Sequence, residues 1–243
     1  MQTIPIGISD VEAWNDEFAR TNDIDDYYRR SGVLIRLVER SRLACIRRLL
    51  AAEPSHRILE IGCGGGHVLQ LFRDNALVGT DVSGEMIRKA RRNLRGFRVE
   101  LLKGELDELD LPTGDFDRIV CTEVLEHVIE PQRLLAEAAR LLSPDGRMVV
   151  TLPNDLVIHR VKSAIFRSGL SRLPVFRRIS WGGDKYHLHV WSADEMHDLL
   201  SRHFVVRRTV PVPNRLLPIR YCFECSSLPE VIQLARPAAL RTA

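Results

Sequence analysis

The chain has 243 residues, of which 45% are hydrophobic and 28% charged, and its formal net charge is +3. This composition is typical of one large globular domain, or of a domain with a cap, and it excludes a disordered chain or a fibre. The apolar runs are far shorter than the roughly 18 residues that span a bilayer, and acidic residues interrupt the start of the chain, so we expect neither a membrane span nor a secretory signal.

The first part of the chain alternates between helical and strand periodicities. Apolar residues at helical spacing predict an N-terminal helix over 33–52. A short apolar run predicts a strand over 57–61, followed by a glycine-rich loop and a helix to about Arg73. A second strand is predicted over 76–81, and a second helix begins after Ser83, its predicted cap.

The rest of the chain continues this alternation. The same patterns predict strands over 97–103, 116–121, 147–152, 204–210 and 219–225, and helices over 130–142 and 192–201. Strands that alternate with helices imply right-handed crossovers and a parallel sheet. The last two strands follow each other directly, so we expect an antiparallel hairpin at the sheet edge. The predicted fold class is α/β, with a seven-stranded, mainly parallel sheet and a C-terminal antiparallel hairpin.

The cysteines favour a reducing environment. There are five, an odd number, and in a chain of this length they do not form the pattern of a disulfide framework. Cys222 and Cys225 have the spacing of half a zinc knuckle, but no second pair completes the four ligands of a structural zinc. We therefore expect buried thiols and a cytoplasmic location.

The segment 58–67, Ile-Leu-Glu-Ile-Gly-Cys-Gly-Gly-Gly-His, places a glycine cluster between a strand and a helix, where open α/β sheets bind ligands. It does not complete a dinucleotide fingerprint, because the position of the third glycine, counted from Gly62, is His67. Glu60 would repel a pyrophosphate but suits the ammonium and sulfonium groups of S-adenosylmethionine. Asp81 lies 19 positions after Gly62, a spacing at which a carboxylate meets ribose hydroxyls in either cofactor class.

Four ordered segments make a family resemblance specific. They are ILEIGCGGG at 58–66, GTDVSGEMIRKAR at 79–91, GELDELDLPTGDFDRIVCTEVLEHV at 104–128 and LLSPDGRMVVTLPN at 141–154. In this order and spacing they resemble the class I S-adenosylmethionine-dependent methyltransferases of the small-molecule type. The resemblance implies a Rossmann-like class I methyltransferase fold, a helical cap and S-adenosylmethionine as the cofactor.

The resemblance also implies cofactor contacts, carried over position by position. Glu60 and the backbone at Gly62 and Gly64 would hold the methionine part, and Asp81 would hold the ribose diol. The residues expected beside the adenine and the sulfonium are Val82, Met86, Glu105, Leu106, Thr122 and Glu123.

Two features near these positions concern the adenine contact and the lid over the cofactor. Glu105 stands where the family usually has Asp as an acceptor for the adenine amino group, so its longer side chain is a departure from the pattern. Tyr27 and Tyr28 precede the first strand, where family members often bring a lid residue to the cofactor, and they are the lid candidates of this chain.

The segment from Glu123 to His127, Glu-Val-Leu-Glu-His, follows the fourth strand and, if helical, places two carboxylates and an imidazole on one face. In the favoured interpretation it binds no metal and packs the loop under the cofactor, and His127 is the candidate catalytic residue, a base for an acceptor hydroxyl. In the alternative, Glu123, Glu126 and His127 bind a divalent metal with His187 or His189, and the metal lowers the pKa of a coordinated hydroxyl. A similar Glu-x-x-Glu-His occurs in the ubiquinone-pathway O-methyltransferases and the small-RNA 3′-terminal ribose methyltransferases, which the chain resembles here.

Charge is distributed unevenly along the chain. Residues 1–150 carry 21 Lys/Arg against 25 Asp/Glu, whereas residues 151–243 carry 14 against 7. The stretch 156–181, where this family inserts its substrate cap, mixes arginines with apolar residues and contains no acidic residue. We expect an amphipathic cap that receives a lipid-like or aromatic acceptor or makes peripheral contact with an anionic membrane. Nucleic acid is not the expected partner, because the arginines lack an interleaved aromatic platform.

The predicted organisation has four parts. They are an N-terminal helical cap (1–54), an S-adenosylmethionine-binding core (55–155), a cap or substrate insertion (156–190) and a C-terminal completion of the sheet with a tail (191–243). We expect a methyltransferase for a small-molecule acceptor, with an oxygen of an aromatic, lipid-like or natural-product substrate favoured. The alternatives are metal-assisted O-methylation of a diol or an RNA 3′ end, a nucleotide-linked dehydrogenase, and a catalytically silent cofactor-binding or docking domain.

Overall fold

The computed structural model describes residues 32–172 and 187–229. Several predictions lie wholly or partly outside the described residues: the lid candidates Tyr27 and Tyr28, the N-terminal cap over 1–54, the insertion over 156–190 and the C-terminal tail. The division of the chain into four parts stays a prediction.

Strands and helices alternate along the described chain. The strands are β1 (Arg57–Ile61), β2 (Ala76–Asp81), β3 (Val99–Lys103), β4 (Phe116–Thr122), β5 (Leu142–Pro153), β6 (Val205–Pro213) and β7 (Pro218–Ser226). The α-helices are α1 (Val33–Leu50), α2 (Gly84–Asn93), α3 (Pro131–Leu141), α4 (Asp155–Arg167) and α5 (Ala193–Ser201). None of the helices in the described part of the chain has the length and apolar character that crossing a membrane requires.

The strands form one seven-stranded sheet in the order β3-β2-β1-β4-β5-β7-β6. The first five are parallel, whereas β7 runs antiparallel to both β5 and β6. The predicted mainly parallel sheet with a C-terminal antiparallel hairpin is confirmed. Along the chain the strands run outward from β1 to β2 and β3 and then return to β4 on the other side of β1. The connections that follow β1 and β4 therefore lead in opposite directions, and this reversal opens a crevice at the carboxyl ends of these strands.

The sheet is buried on both faces. Ile58 and Leu59 of β1 point to opposite faces, and both are fully buried. Ile58 belongs to a core cluster with Leu50 of α1, and Leu59 belongs to a cluster with Leu135 of α3 and Leu200 of α5. Each such side chain contributes roughly 1.5–3 kcal/mol by leaving water. The carboxyl ends of the central strands are therefore held on a tightly packed scaffold.

The predicted helix between the glycine loop and Arg73 is wrong. The structure has only a short 3₁₀ helix there, over Leu69–Phe72. Leu69 and Phe72 are both buried and lie three positions apart, and a single 3₁₀ turn satisfies that spacing. Asn75 ends the segment, because its backbone N–H donates to the Phe72 carbonyl and its side-chain amide donates to carbonyls of the loop before β1.

The strand β5 begins earlier than predicted. Its pairing with β4 passes from Leu142 to Arg147 while β4 advances only from Phe116 to Arg118. Residues 143–146, which lie between the predicted helix and the predicted strand, thus form a bulge within β5.

Candidate active site

A cavity of about 830 Å³ lies at the carboxyl ends of β1, β2 and β4. The structure brings every predicted cofactor residue and the predicted base to its lining: Glu60, Gly62, Gly64, Asp81, Val82, Met86, Glu105, Leu106, Thr122, Glu123 and His127. Residues that are distant in the sequence thus meet in one concave site of the size that small molecules and cofactors occupy.

The glycine loop approaches the cavity in a conformation that glycine favours. Gly62 has a φ of 64° and Gly64 a φ of 49°, both in the left-handed region. A Cβ on Gly62 would lie 2.4 Å from a methyl group of Val124, whereas a Cβ on Gly64 would meet nothing within 4 Å. The missing side chain at Gly64 therefore leaves space for a ligand and does not serve the packing of the protein.

Asp81, the last residue of β2, joins the glycine loop to α2. Its Oδ2 accepts a hydrogen bond from the Gly64 N–H at 2.8 Å, and its Oδ1 accepts one from the Ser83 N–H at 2.9 Å. Ser83 in turn caps α2 by accepting a bond from the Met86 N–H. Because a carboxylate can accept about four hydrogen bonds, this side chain can serve the loop and a ligand diol together.

Glu60 in β1 is a buried carboxyl group with an unusual electrostatic environment. It is 2% exposed, and its Oε2 has no hydrogen-bond partner. Burial raises the pKa of Glu60 well above its ordinary value; the Arg42 guanidinium opposes that shift and Asp81 adds to it. Burying an incompletely bonded carboxyl group is unfavourable, and a cationic ligand group would compensate for it.

Arg42 of α1 also lines the cavity, and the sequence analysis missed it. Its side chain is buried, with Nε 3.0 Å from Oε2 of Glu39. A signal was present, since Arg42 lies four positions after Val38 and four before Ile46, both of which are buried on the same helical stripe. A charge inside an apolar stripe indicates a buried partner or ligand.

The prediction that Glu123 shares a helical face with His127 is wrong. Only Leu125–His127 form a 3₁₀ turn, and Glu123 has a φ of 54°, which is uncommon for a residue other than glycine. Its Oε1 accepts a hydrogen bond from the Thr151 hydroxyl at 3.0 Å, and its Oε2 accepts one from Arg220 at 3.0 Å. Burial alone would raise the pKa of Glu123, but the charges of Arg220 and Arg42 and the hydrogen bonds from Arg220 and Thr151 together outweigh burial and lower it.

Arg220 extends this contact into a chain of ionic groups. It lies in β7, and its Nη1 is 2.9 Å from Oε1 of Glu39 in α1. The loop after β4, the helix α1 and the strand β7 are therefore tied together beside the cavity. No contiguous motif reveals this arrangement, because the partners come from three separate parts of the chain.

A second polar cluster adjoins the cavity. Glu126, His127 and His187 each offer one ligand atom, and these atoms lie within 4.8 Å of one another. Glu126 is 1% exposed, neither of its carboxyl oxygens has a hydrogen-bond partner, and burial followed by the charge of Glu123 raises its pKa. His187 is oriented by Asp155, since its Nδ1 lies 2.9 Å from Oδ2 of that residue.

Within the described ranges, this cluster differs from the predicted metal set. His189 is outside it, with Nε2 2.9 Å from the Val128 carbonyl and its ring stacked on Trp191. Asp155 was not predicted: it is the buried first residue of α4, and an acidic residue in a first helical turn is ordinarily explained by the helix dipole.

The charges around the cavity disfavour a phosphate ligand. Glu60 and Asp81 lie close enough to influence each other's ionisation, and Glu105 lies on the same lining. Partial burial, and then the charges of Asp107 and Glu108, raise the pKa of Glu105. A pyrophosphate would meet these acidic groups, whereas a nucleoside that carries an amino acid would present hydroxyl and ammonium donors to them.

Comparisons with known proteins agree with this geometry. Residues 59–150 match the family described as a methyltransferase domain. The chain is 38% identical over 113 residues to the uncharacterized 37.1 kDa protein in transposon TN4556 of Streptomyces fradiae, which covers 43% of this chain and 32% of that protein. It is 28% identical over 155 residues to a ubiquinone biosynthesis O-methyltransferase of Coxiella burnetii, which covers 60% of this chain and 65% of the relative. The chain thus spans less than two thirds of the length of these curated relatives.

Solved structures share the fold. A magnesium protoporphyrin IX methyltransferase from Synechocystis with bound SAH is similar with a TM-score of 0.63 and 17% identity, over 91% of this chain and 100% of that chain. At this identity the likeness establishes the fold alone, and it confirms the predicted Rossmann-like architecture.

Proposed function

We propose that this chain, whose residues 59–150 match a methyltransferase domain, is a class I S-adenosylmethionine-dependent methyltransferase that transfers a methyl group to an oxygen of a small-molecule acceptor. S-adenosylmethionine is the cofactor of this class of domain. The observation that carries the proposal is the buried, incompletely bonded Glu60, which shares one cavity with Asp81 and the glycine loop.

The residues at the inner end of the cavity fit the amino-acid part of the cofactor. Glu60 would accept hydrogen bonds from the ammonium group, which removes the penalty of its unpartnered oxygen. Arg42 would hold the carboxylate, because it is a cation on the same lining. The open space at Gly64 lets the backbone approach the ligand closely.

The other end fits the nucleoside. Asp81 would hold the ribose diol, and Val82 and Met86 would contact the adenine ring. Glu105 and the backbone of Leu106 would contact the edge of that ring. These assignments rest on the shared lining and on the donor and acceptor chemistry of each side chain.

The protein contributes alignment, exclusion of water and a base. When bound, S-adenosylmethionine supplies an electrophilic methyl group on a positively charged sulfur. Thr122 and Glu123 line the cavity at the end of β4 and would fix the position of the reacting groups. His127 would take the proton of the acceptor hydroxyl on an imidazole nitrogen, which makes the oxygen a better nucleophile.

The acceptor is proposed to be an aromatic or lipid-like molecule with a hydroxyl group. Val128, Ile129 and Leu134 contribute apolar surface to the cavity near His127. The name of the Coxiella burnetii relative, a ubiquinone biosynthesis O-methyltransferase, supports this chemical class.

Calorimetric titration with S-adenosylmethionine and, separately, with NAD tests the cofactor assignment. Binding of the first and not the second is expected, and the reverse would identify a dehydrogenase. A screen of phenols, diols and lipid-like alcohols with an isotope-labelled methyl donor then tests the reaction. Cofactor binding with no labelled product from any acceptor would favour a silent binding domain instead.

A second candidate is metal-assisted O-methylation, and the cluster beside the cavity favours it. Glu126 has two buried oxygens without hydrogen-bond partners, which are suitable ligand atoms for a divalent cation. Asp155 fixes the ring of His187 as carboxylates do for metal-binding histidines. A bound metal would lower the pKa of a coordinated acceptor hydroxyl.

Titration with Mn²⁺ alone, followed by calorimetry, tests this candidate without any acceptor. Binding that His187→Ala abolishes and His189→Ala preserves would support the site, because His189 is the neighbouring histidine outside the cluster. Absence of binding, together with turnover that chelators do not change, would leave the metal-free mechanism.

A further inference from the structure

The helix α4 leaves two of its large apolar side chains, Leu156 and Phe166, exposed to water. It runs over Asp155–Arg167, and Asp155 is its only buried residue. Leu156 is 56% exposed and Phe166 73% exposed, and Leu170 just beyond the helix is 44% exposed. Single exposed apolar residues are ordinary, but several on one helix mark a surface that contacts something other than water.

Beyond its first residue, Asp155, the same helix carries basic residues and no acidic one. Residues 156–172 contain no Asp or Glu, and Arg160, Arg167 and Arg172 are all exposed. Leu156, Arg160 and Arg167 lie at helical spacing on one side of α4, so an exposed leucine and two exposed arginines share that side. This combination complements an anionic surface with an apolar interior.

A second element adds to this surface. In the turn between β6 and β7, Oδ1 of Asn214 accepts hydrogen bonds from the N–H groups of Leu216 and Leu217, both at 3.0 Å. The turn is thereby fixed so that Leu216 is 97% exposed, with the exposed Arg215 next to it. This leucine adds exposed apolar area beside the exposed residues of α4.

The turn and the helix are joined directly. Asn154, the N-cap residue of α4, donates from its backbone N–H to the Ile219 carbonyl and from its side chain to the Pro218 carbonyl, both at 2.8 Å. Leu216 and the outer residues of α4 therefore belong to neighbouring, mutually fixed elements. We refer to the exposed residues Leu156, Arg160, Phe166, Arg167, Leu170, Arg172, Arg215 and Leu216 as the basic apolar surface.

We propose that the basic apolar surface docks this protein on the face of an anionic phospholipid bilayer. The leucines and the phenylalanine enter the boundary between headgroups and acyl chains, and the arginines contact lipid phosphates. Docking would also place the bilayer near Asp155, the residue of α4 that contacts His187 of the polar cluster. An amphiphilic acceptor would then enter from the membrane, a consequence that rests on the proposed function, whereas docking itself does not.

Co-sedimentation of the full chain with phospholipid vesicles tests the proposal. One set of vesicles contains phosphatidylcholine alone and the other contains phosphatidylcholine with phosphatidylglycerol. Binding to the second set, weakened by added salt, is the expected result. The double variant Arg160→Glu/Arg167→Glu should lower the vesicle partition coefficient by about 30-fold or more, since each basic residue near an anionic surface contributes several-fold.

Matched variants separate docking from a general effect of charge. Arg91→Glu/Arg95→Glu makes the same change in net charge at exposed positions in and after α2, and it should leave binding unchanged. Phe166→Ser/Leu216→Ser should abolish binding while the thermal midpoint and the affinity for S-adenosylmethionine stay as in the wild type. Equal and negligible binding to both vesicle sets, equal losses in the two charge variants, or preference for single-stranded RNA over vesicles would each overturn the proposal.

Discussion

The proposed cofactor side and the proposed acceptor side of the cavity are built from different kinds of sequence. On the cofactor side, Glu60, Gly64 and Asp81 all come from β1, β2 and the loop between them. On the acceptor side, His127 follows β4, Asp155 begins α4, and His187 lies shortly before α5. The first side is therefore fixed by local backbone geometry, and the second by the packing of distant elements.

This difference suggests a reason for the proposed division, in which class I folds have the cofactor side in common and the acceptor side differs from one protein to another. A strand, a glycine loop and a carboxylate after the next strand form a unit that any class I fold can carry. The acceptor side depends on helices and loops added to that unit, so its residues can change without disturbing cofactor binding. We therefore expect mutations on one side of the cavity to leave the function of the other side unchanged.

The largest effect is expected from His127→Ala. Turnover of an acceptor found in the labelling screen should fall by roughly 10²- to 10⁴-fold, because the general base is lost. The dissociation constant for S-adenosylmethionine, measured by calorimetry, should stay within about twofold, as expected for an unchanged cofactor side. His197→Ala in α5 is the control and should keep both values. A large change in cofactor affinity would show that the two sides are not separable.

A smaller loss is expected from Gly64→Val on the cofactor side. Gly64 lines the cavity and a Cβ there meets no protein atom within 4 Å, so we expect the valine to take ligand space and the dissociation constant to rise by about 100-fold. Gly96→Val is a matched control, because Gly96 also has a positive φ and open space around it but does not line the cavity. Similar affinities in the two variants would refute the assigned position of the loop.

Asp81→Ala should weaken cofactor binding by roughly 1.5–3 kcal/mol, the usual contribution of hydrogen bonds to a charged group. The protein should remain folded by circular dichroism, because the packed core is untouched. Asp110→Ala removes an exposed carboxylate outside the cavity and should change nothing. Unfolding of Asp81→Ala would instead assign this residue to the stability of the loop.

The smallest effect is a pH dependence set by Glu60. Because the pKa of Glu60 is raised in the free protein and a bound ammonium group favours its ionised form, binding should release a proton. Affinity for S-adenosylmethionine should therefore rise as the pH increases above the ordinary pKa of a glutamate towards the raised pKa of Glu60, by at most about tenfold per pH unit. Calorimetry in buffers of different ionisation enthalpy measures the released proton. Glu60→Gln should remove the slope, and a slope that persists in this variant would exclude Glu60 as its source.

Much of the fold was predictable because each strand has a short apolar run and each crossover helix a clear periodicity. The 3₁₀ turn at Leu69–Phe72 was not, since two buried residues three positions apart fit a longer helix equally well. The position of Glu123 was also not predictable. Its positive φ depends on contacts with Thr151 and Arg220, which no local pattern contains.

The candidate site shows the same limit. Residues in the glycine loop and at strand ends were predicted because function there coincides with a contiguous motif. Arg42 was missed although its apolar helical stripe carries a signal, because a charge on a helix is ordinarily assigned to solvent. Asp155 begins a helix, where an acid is ordinarily assigned to the helix dipole, and only tertiary packing reveals that it is buried. Sequence patterns thus predict a backbone-defined site better than a site assembled by buried ion pairs.

The ionic chain from Glu39 through Arg220 to Glu123 limits how far the catalytic segment can be transplanted. The segment 59–150 contains Glu123 and most of β5. Arg220, whose guanidinium pairs with Glu123, and β7, which covers the edge of β5, both lie outside this segment. Excision of this segment would leave Glu123 without Arg220 and would expose the edge of β5, which promotes aggregation. Chimeras that exchange acceptor preference should therefore include α1 and the β6–β7 hairpin together with residues 59–150.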